Sequence, residues 1–468
     1  MHPPLAGGPA GPTALRPLLD VVLDALHHGA RARGGPLPDG GPQAVTQRVR
    51  DAAADVFPQH GTGAEEALTT LVRTLAEGSA DPAEPHCAAH LHTPPLALAA
   101  AADLAASALN PSMDSWDQAP AASALETLVT TALATEIWPH ADALVTTGGT
   151  ESNQLALLLA RERHGPIQVV CGAATHHSIH RATWLLGLPQ PVVIPAPTGT
   201  IDLAALDTAL TGHHQPLLVV ATAGTTDTGA IDPLPAIADL CATHHAELHV
   251  DAAYGGPLLF SDRHRHQLAG LERAQSVTLD LHKLGWQPVA AGLLAVPDPT
   301  QLAPLTHTAD YLNADDDTDA GLPDLLGRSL RTTRRPDILK IAVTLRALGR
   351  DGLAALIDRV CQTAQELAQL IDKHPELELY QQPTISTVLF RPRGADDPTV
   401  AHIRRTLLTN GTAALGRARA DGRLWLKATL LNPHLTPHDL HTLIETALHT
   451  SETSTTAPPT HPEGSTPR

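Results

Sequence analysis

The chain has 468 residues, enough for about three domains of ~150 residues or for one large enzyme subunit. Its 31 basic and 49 acidic residues leave a net charge of −18, which argues against a nucleic-acid partner held through phosphate contacts, and there is no Lys/Arg cluster to attract an anionic membrane. The hydrophobic content is 43 %, yet only 11 residues are Phe, Tyr or Trp, so the core must be built from Ala, Leu and Val.

In chain order, residues 1 to about 15 are rich in Pro and Gly and read as a mobile head. A helical pattern follows over 18–75, interrupted by the Gly/Pro cluster at 34–42. The longest apolar stretch, 96–109, is broken by Asp103 and too short to span a bilayer; no cationic leader precedes an apolar run. The middle of the chain then alternates two patterns. Apolar β-like runs stand at 143–147, 168–171, 191–194, 217–222, 248–250, 276–279 and 292–296, with helical patterns at 151–163, 178–186, 203–210 and 234–245. Strands separated by helices need crossovers, so the expected fold is α/β, with a mainly parallel sheet covered on both faces. A long helical stretch over 337–371 leads into a smaller α+β region. The expected organisation is an N-terminal head and helical segment (1–84), a large α/β domain (85–345), a small C-terminal domain (346–450) and a disordered Ser/Thr/Pro-rich tail (451–468). Cys87, Cys171, Cys241 and Cys361 form no CxxC pair, which points to reduced thiols and a cytoplasmic setting.

In an α/β sheet, ligands bind beyond the carboxyl ends of the strands, so residues that directly follow β runs are the informative ones. Gly148, Gly149 and Thr150 follow the first run and open a Leu-rich helix. Glycines allow close backbone approach, and Thr150 could cap a helix whose free N–H groups favour an anion such as phosphate. Gly-rich caps without a ligand are common, so this motif alone is a weak signal. Asp251 follows the run 248–250 and could face a cationic ring nitrogen; a lone Asp there more often caps a turn. Lys283 closes Asp280-Leu281-His282-Lys283 after the run 276–279, and the chain holds only three other lysines, Lys340, Lys373 and Lys427. Desolvation makes a lysine amine a nucleophile able to form an imine, whereas an isolated surface lysine simply snorkels. Together, an anion site, an acid for a ring nitrogen and an imine-forming amine are what pyridoxal phosphate requires, and His176 could cover the face of such a ring. The groups His86/His90/His92 and His176/His177/His180 have ligand-like spacing, but chance clustering among 28 His is the simpler reading and no metal is expected.

The ordered segments TTGGTESNQLALLLARE, ATHHSIHRATWLLGL, VVATAGTTDTGAIDPL, LHVDAAYGG, DLHK, DYLN, SLRTTRR and LKATLLNP resemble the group II pyridoxal-phosphate-dependent amino acid decarboxylases over about residues 85–433. The resemblance implies a type I aminotransferase-like fold and a homodimer whose active site lies at the subunit interface. It implies that Lys283 binds the cofactor aldehyde, Asp251 pairs with the ring nitrogen, Ala253 lies against the ring and His176 stacks on it. Thr175 stands where the family usually has Ala. Gly149, Thr150 and His282 match phosphate-site positions, with Gly148 and Thr226 nearby. Tyr311 matches the mobile-loop tyrosine that reaches the partner's site and returns a proton to the substrate. Thr93 and Asp114 fall on the substrate side, and an acid at 114, where aromatic-substrate members place an aromatic residue, suits a cationic side chain. SMDSWDQ and TTRR look like the branch holding diaminobutyrate and lysine decarboxylases, so a basic or diamino L-amino acid is expected. Pro85 is preceded by Glu84 where the family usually has His, Pro336 replaces an aromatic, and 327–330 departs from the family's Asp-Lys-Ser-Leu. The alternatives are an aromatic or non-standard substrate, a transaminase or lyase on the same fold, and an inactive cofactor-binding scaffold.

Overall fold

A computed structural model describes residues 3–53, 55–212 and 215–455. In chain order the strands are β1 (Cys87–Ala88), β2 (Asp142–Thr146), β3 (Gln168–Gly172), β4 (Val192–Ile194), β5 (Leu217–Thr222), β6 (Glu247–Ala252), β7 (Ser276–Asp280), β8 (Gly292–Val296), β9 (Leu377–Leu379), β10 (Thr387–Pro392), β11 (Ala414–Ala420) and β12 (Arg423–Thr429). Seven form the large sheet in the order β2-β8-β7-β6-β5-β3-β4. All its pairs are parallel except the two that β8 makes with β2 and β7. The mainly parallel α/β architecture expected from the sequence is therefore present, and each of the seven β-like runs is a strand.

The sheet is covered on both faces, and the strands show it residue by residue. In β5, Val219 and Ala221 join the principal core with Leu206, Ile237 and Trp286, while Leu218 and Val220 face Leu157, Ile167 and Ile179 on the other side. Alternate residues point to opposite faces, so a strand buried on both must be apolar throughout. With so few aromatics, the packing is carried by Ala, Val, Leu and Ile, as the composition implied.

A second, five-stranded sheet has the order β1-β11-β12-β10-β9. Cys87 and Ala88, from the segment expected to open the large domain, pair parallel with Ala414 and Leu415 of this smaller sheet. The N-terminal pattern resolves into helices Gly11–Arg33, Gly41–Ala52 and Ala64–Gly78. Helix thus begins inside the stretch expected to be a mobile head, where Pro12 at the start of the helix has no N–H to lose. The helix Pro437–Thr455 likewise runs through Ser451–Thr455, the first part of the expected disordered tail; residues 456–468 lie outside the described residues. The long helix Ile338–Lys373 is broken at Gly349, whose φ of 62° interrupts the helical backbone.

Candidate active site

β2, β3, β5, β6 and β7 all run in one direction, so their carboxyl ends emerge on one side of the large sheet. A cavity of about 240 Å³ opens there, lined by Gly148, Gly149, Thr150, His176, Thr226, Asp251, Ala253, His282 and Lys283 among others. Residues spread over 136 positions of sequence meet because each lies within four residues of the carboxyl end of a strand.

The β2 end sets the anion-facing wall. Gly148 has φ 142°, which suits glycine, and a Cβ there would sit 2.9 Å from His282 Cε1. A Cβ on Gly149 would meet Ala253 Cβ at 2.9 Å. Both glycines are needed for close approach. Thr150 does not cap the helix Gly149–His164, as the sequence suggested it could: Gly148 occupies the cap position, and no side chain closes it. Glu151 instead accepts the N–H of Thr147 at 2.6 Å, and Gly149 and Thr150 at the helix start line the cavity.

Asp251, at the end of β6, is 5 % exposed. Its Oδ2 accepts from Asn153 Nδ2 at 2.7 Å and its Oδ1 from the N–H of Ala253 at 3.1 Å. Both donors are neutral, and among the described residues no Lys, Arg or His forms an ion pair with Asp251. At the end of β7, Asp280 Oδ2 lies 2.8 Å from Lys283 Nζ and 3.5 Å from His282 Nε2. His282 Nδ1 accepts the Ala291 N–H at 3.1 Å, which orients the ring. Burial lowers the pKa of His176 and of His282, with the nearby aspartates Asp251 and Asp280 opposing it.

Asp280, Thr147, Thr222, Gly224, Tyr254 and Leu91 also line the cavity, though the sequence reading did not single them out. Tyr254 stands two residues beyond the end of β6, and that position was the one available signal for it. Tyr254 Oη bonds Ser386 Oγ at 2.8 Å and Thr387 Oγ1 at 3.0 Å, tying the cavity wall to the small sheet; burial pushes its phenol up to about 12. Lys427 donates to the Thr226 carbonyl at 3.0 Å and steadies the opposite rim.

Three predicted residues are not among those lining the cavity. Thr93 is buried, and among the described residues its hydroxyl has no hydrogen-bond partner. Asp114 is also buried, but its Oδ1 accepts from Gln118 Nε2 at 2.8 Å within its own loop. Tyr311 is 81 % exposed on the short helix Asp310–Asn313. Among the described residues, no group of three or more His, Cys, Asp or Glu could hold a metal ion, and no helix is long and apolar enough to cross a membrane.

A lysine, an unpaired carboxylate and a glycine-flanked helix start at the carboxyl ends of one parallel sheet define a type I pyridoxal-phosphate architecture. The chain belongs to the pyridoxal-dependent decarboxylases: residues 47–393 match the pyridoxal-dependent decarboxylase conserved domain. It is 43 % identical over 410 residues to the L-2,4-diaminobutyrate decarboxylase of Rhizobium meliloti (strain 1021), covering 84 % of this chain and 83 % of that one. The L-2,4-diaminobutyrate decarboxylase of Acinetobacter baumannii is 31 % identical, with 87 % and 88 % covered. Among solved structures, the glutamate decarboxylase domain of diaminobutyrate-pyruvate transaminase and L-2,4-diaminobutyrate decarboxylase from Vibrio parahaemolyticus superposes with a TM-score of 0.85 at 31 % identity, covering 96 % of this chain and 98 % of that one.

The residues present fit the family's cofactor. Thr222 Oγ1 and Asp280 Oδ1 are buried at the cavity without a hydrogen-bond partner among the described residues, and buried polar atoms of that kind call for a ligand or water. A Cβ on either glycine would close the cradle.

Proposed function

We propose that this decarboxylase removes the carboxylate of L-2,4-diaminobutyrate, releasing carbon dioxide and a diamine. The observation that carries the reading is the meeting of Lys283 and Asp251 in one cavity, in a chain 43 % identical to a diaminobutyrate decarboxylase. Lys283 would hold the cofactor aldehyde through Nζ, and Asp251 would face its ring nitrogen. The N–H groups of Gly149 and Thr150, with Thr226 and His282, would hold its phosphate, while His176 and Ala253 would flank the ring. When bound, pyridoxal phosphate supplies an electron sink for the bond broken at Cα.

The chain's own residues then have distinct tasks. Asp251, without a protein countercharge, is free to keep a proton on the facing nitrogen. Asp280 holds the Lys283 amine at the cavity rather than in solvent. Tyr311 Oη returns a proton to the substrate Cα from the neighbouring subunit of a homodimer, which accords with its exposure in a single chain. The diamino-acid reading does not rest on Asp114, whose carboxylate is engaged by Gln118. Four unpaired thiols suit a reducing cytoplasm.

A carbon-dioxide-release screen over 2,4-diaminobutyrate, ornithine, lysine, aromatic acids and glutamate tests the substrate. Turnover highest on 2,4-diaminobutyrate is expected; release of a keto acid without carbon dioxide would defeat the assignment. Mixing Lys283→Ala and Tyr311→Phe subunits tests the assembly. A shared site regains activity in the mixed dimer, whereas a site built from one chain does not.

A further inference from the structure

Asn153 lies one turn into the helix Gly149–His164, fully buried, and its amide makes every hydrogen bond it can. Nδ2 donates to Asp251 Oδ2 at 2.7 Å and to Ser178 Oγ at 2.9 Å. Oδ1 accepts from Thr278 Oγ1 at 2.9 Å and meets His249 Nε2 at 3.0 Å. The amide has one admissible orientation, because a carboxylate can only accept and so must face the NH₂.

Two consequences follow along the bonds. Asn153 Oδ1 can only accept, so His249 carries its proton on Nε2 and Nδ1 takes the Ser276 hydroxyl at 2.8 Å. Burial pushes His249 down to about 4, so it is neutral and brings no positive charge to Asp251. On the other arm, Ser178 Oγ accepts from Asn153 and lies 2.9 Å from His176 Nδ1, to which it must donate because that nitrogen also takes the Ser178 N–H. The Ser178 N–H reaches the same nitrogen at 3.3 Å. Two donors converge on Nδ1, so the proton of His176 sits on Nε2.

We infer that Asn153 is a positioning residue that at once aims the Asp251 carboxylate and, by holding Ser178 Oγ against Nδ1, orients the His176 ring, coupling the edge and the face of the ring site. This rests on the cofactor placement proposed above. It assigns to one amide a task that neither partner could perform alone, since Asp251 and His176 share no direct hydrogen bond.

The test compares wild type, Asn153→Ala, Ser178→Ala and the double variant, each loaded with pyridoxal phosphate. Asn153→Ala should lower kcat by about 10- to 100-fold with little change in KM, the size that losing an orienting partner has elsewhere. It should also weaken cofactor binding and shift the pH titration of the bound cofactor's visible absorbance. Ser178→Ala should lower kcat while sparing cofactor affinity. The double variant should be no worse than Asn153→Ala alone, because both lie on one chain of bonds. Wild-type absorbance, pH titration and affinity in Asn153→Ala would overturn the inference, as would additive losses in the double variant. Should Asn153→Ala fail to fold, Thr278→Val loosens the same amide at constant shape. A smaller shift in the same direction supports the inference, and no shift in either Thr278→Val or Ser178→Ala overturns it. Wild type that takes up no pyridoxal phosphate would defeat the proposed function and this inference together; wild type that loads while the variants match it defeats the inference alone.

Discussion

Asp251 and Tyr311 mark two halves of the expected active site that are built in different ways. Asp251 is 5 % exposed, fixed by Asn153 and a backbone N–H at the end of a central strand. Tyr311 is 81 % exposed on a four-residue helix between loops. The same division runs through the other residues. Lys283, His176, Gly148 and Gly149 follow strands of one rigid sheet and converge on one cavity, whereas Thr93, Asp114 and Tyr311 stand in connecting segments and do not line it. A parallel sheet dictates where its strand ends point, so groups placed there assemble within a single chain. Groups on long connections take their place from whatever packs against them, a second subunit included.

The largest effects should fall on the strand-end half. Lys283→Ala should cost on the order of 10³-fold or more in turnover, because among the described residues no other amine lines the cavity; carbon dioxide release at wild-type rate would break the comparison. Asp251→Asn keeps the shape but removes the charge, and should lower kcat by about 10²- to 10³-fold, as losing one electrostatic stabiliser does elsewhere. Gly149→Ala drives a methyl against Ala253 and should destabilise the protein by about 1–3 kcal/mol while weakening cofactor binding. Thermal unfolding and cofactor titration measure both.

Acid stability probes the support beneath that half. His249 has its folded pKa pushed down to about 4 from 6.5, so the unfolded chain takes up its proton first as pH falls. Stability from this group is complete above 6.5 and is lost on descending to about 4, a swing of roughly 3 kcal/mol. His176 and His282 act in the same direction. Asp232, raised to about 6 by burial, acts oppositely, gaining stability as pH falls from about 6 towards 3.8. The melting temperature should fall between pH 6.5 and 4.5, less steeply in His249→Phe; parallel curves for the two proteins would remove His249 from this role. The smallest effect belongs to the loop half. Asp114→Asn should change KM for 2,4-diaminobutyrate and for an uncharged amino acid alike, by about threefold or less, if Gln118 is its working partner. A selective loss for the diamino acid would instead make it a substrate contact.

The seven strands of the large sheet were legible because a strand buried on both faces must be an unbroken apolar run, and runs such as 217–222 have no other use. Lys283, Asp251 and the Gly148–Gly149 pair were legible for a related reason: each interrupts such a pattern directly after a strand, where the α/β fold places ligands. Asp280 and Asn153 were not, since a carboxylate three residues before a lysine and an amide in a Leu-rich helix have no local signature. The importance of Asn153 arises from Ser178, His249 and Thr278, which lie 25 to 125 positions away. Periodicity and residue type thus determined the class of fold and the chemical groups available. Which of those groups meet, which proton each imidazole carries and which acid lacks a countercharge were decided only by tertiary packing, because a hydrogen bond depends on distance in space and is blind to separation along the chain.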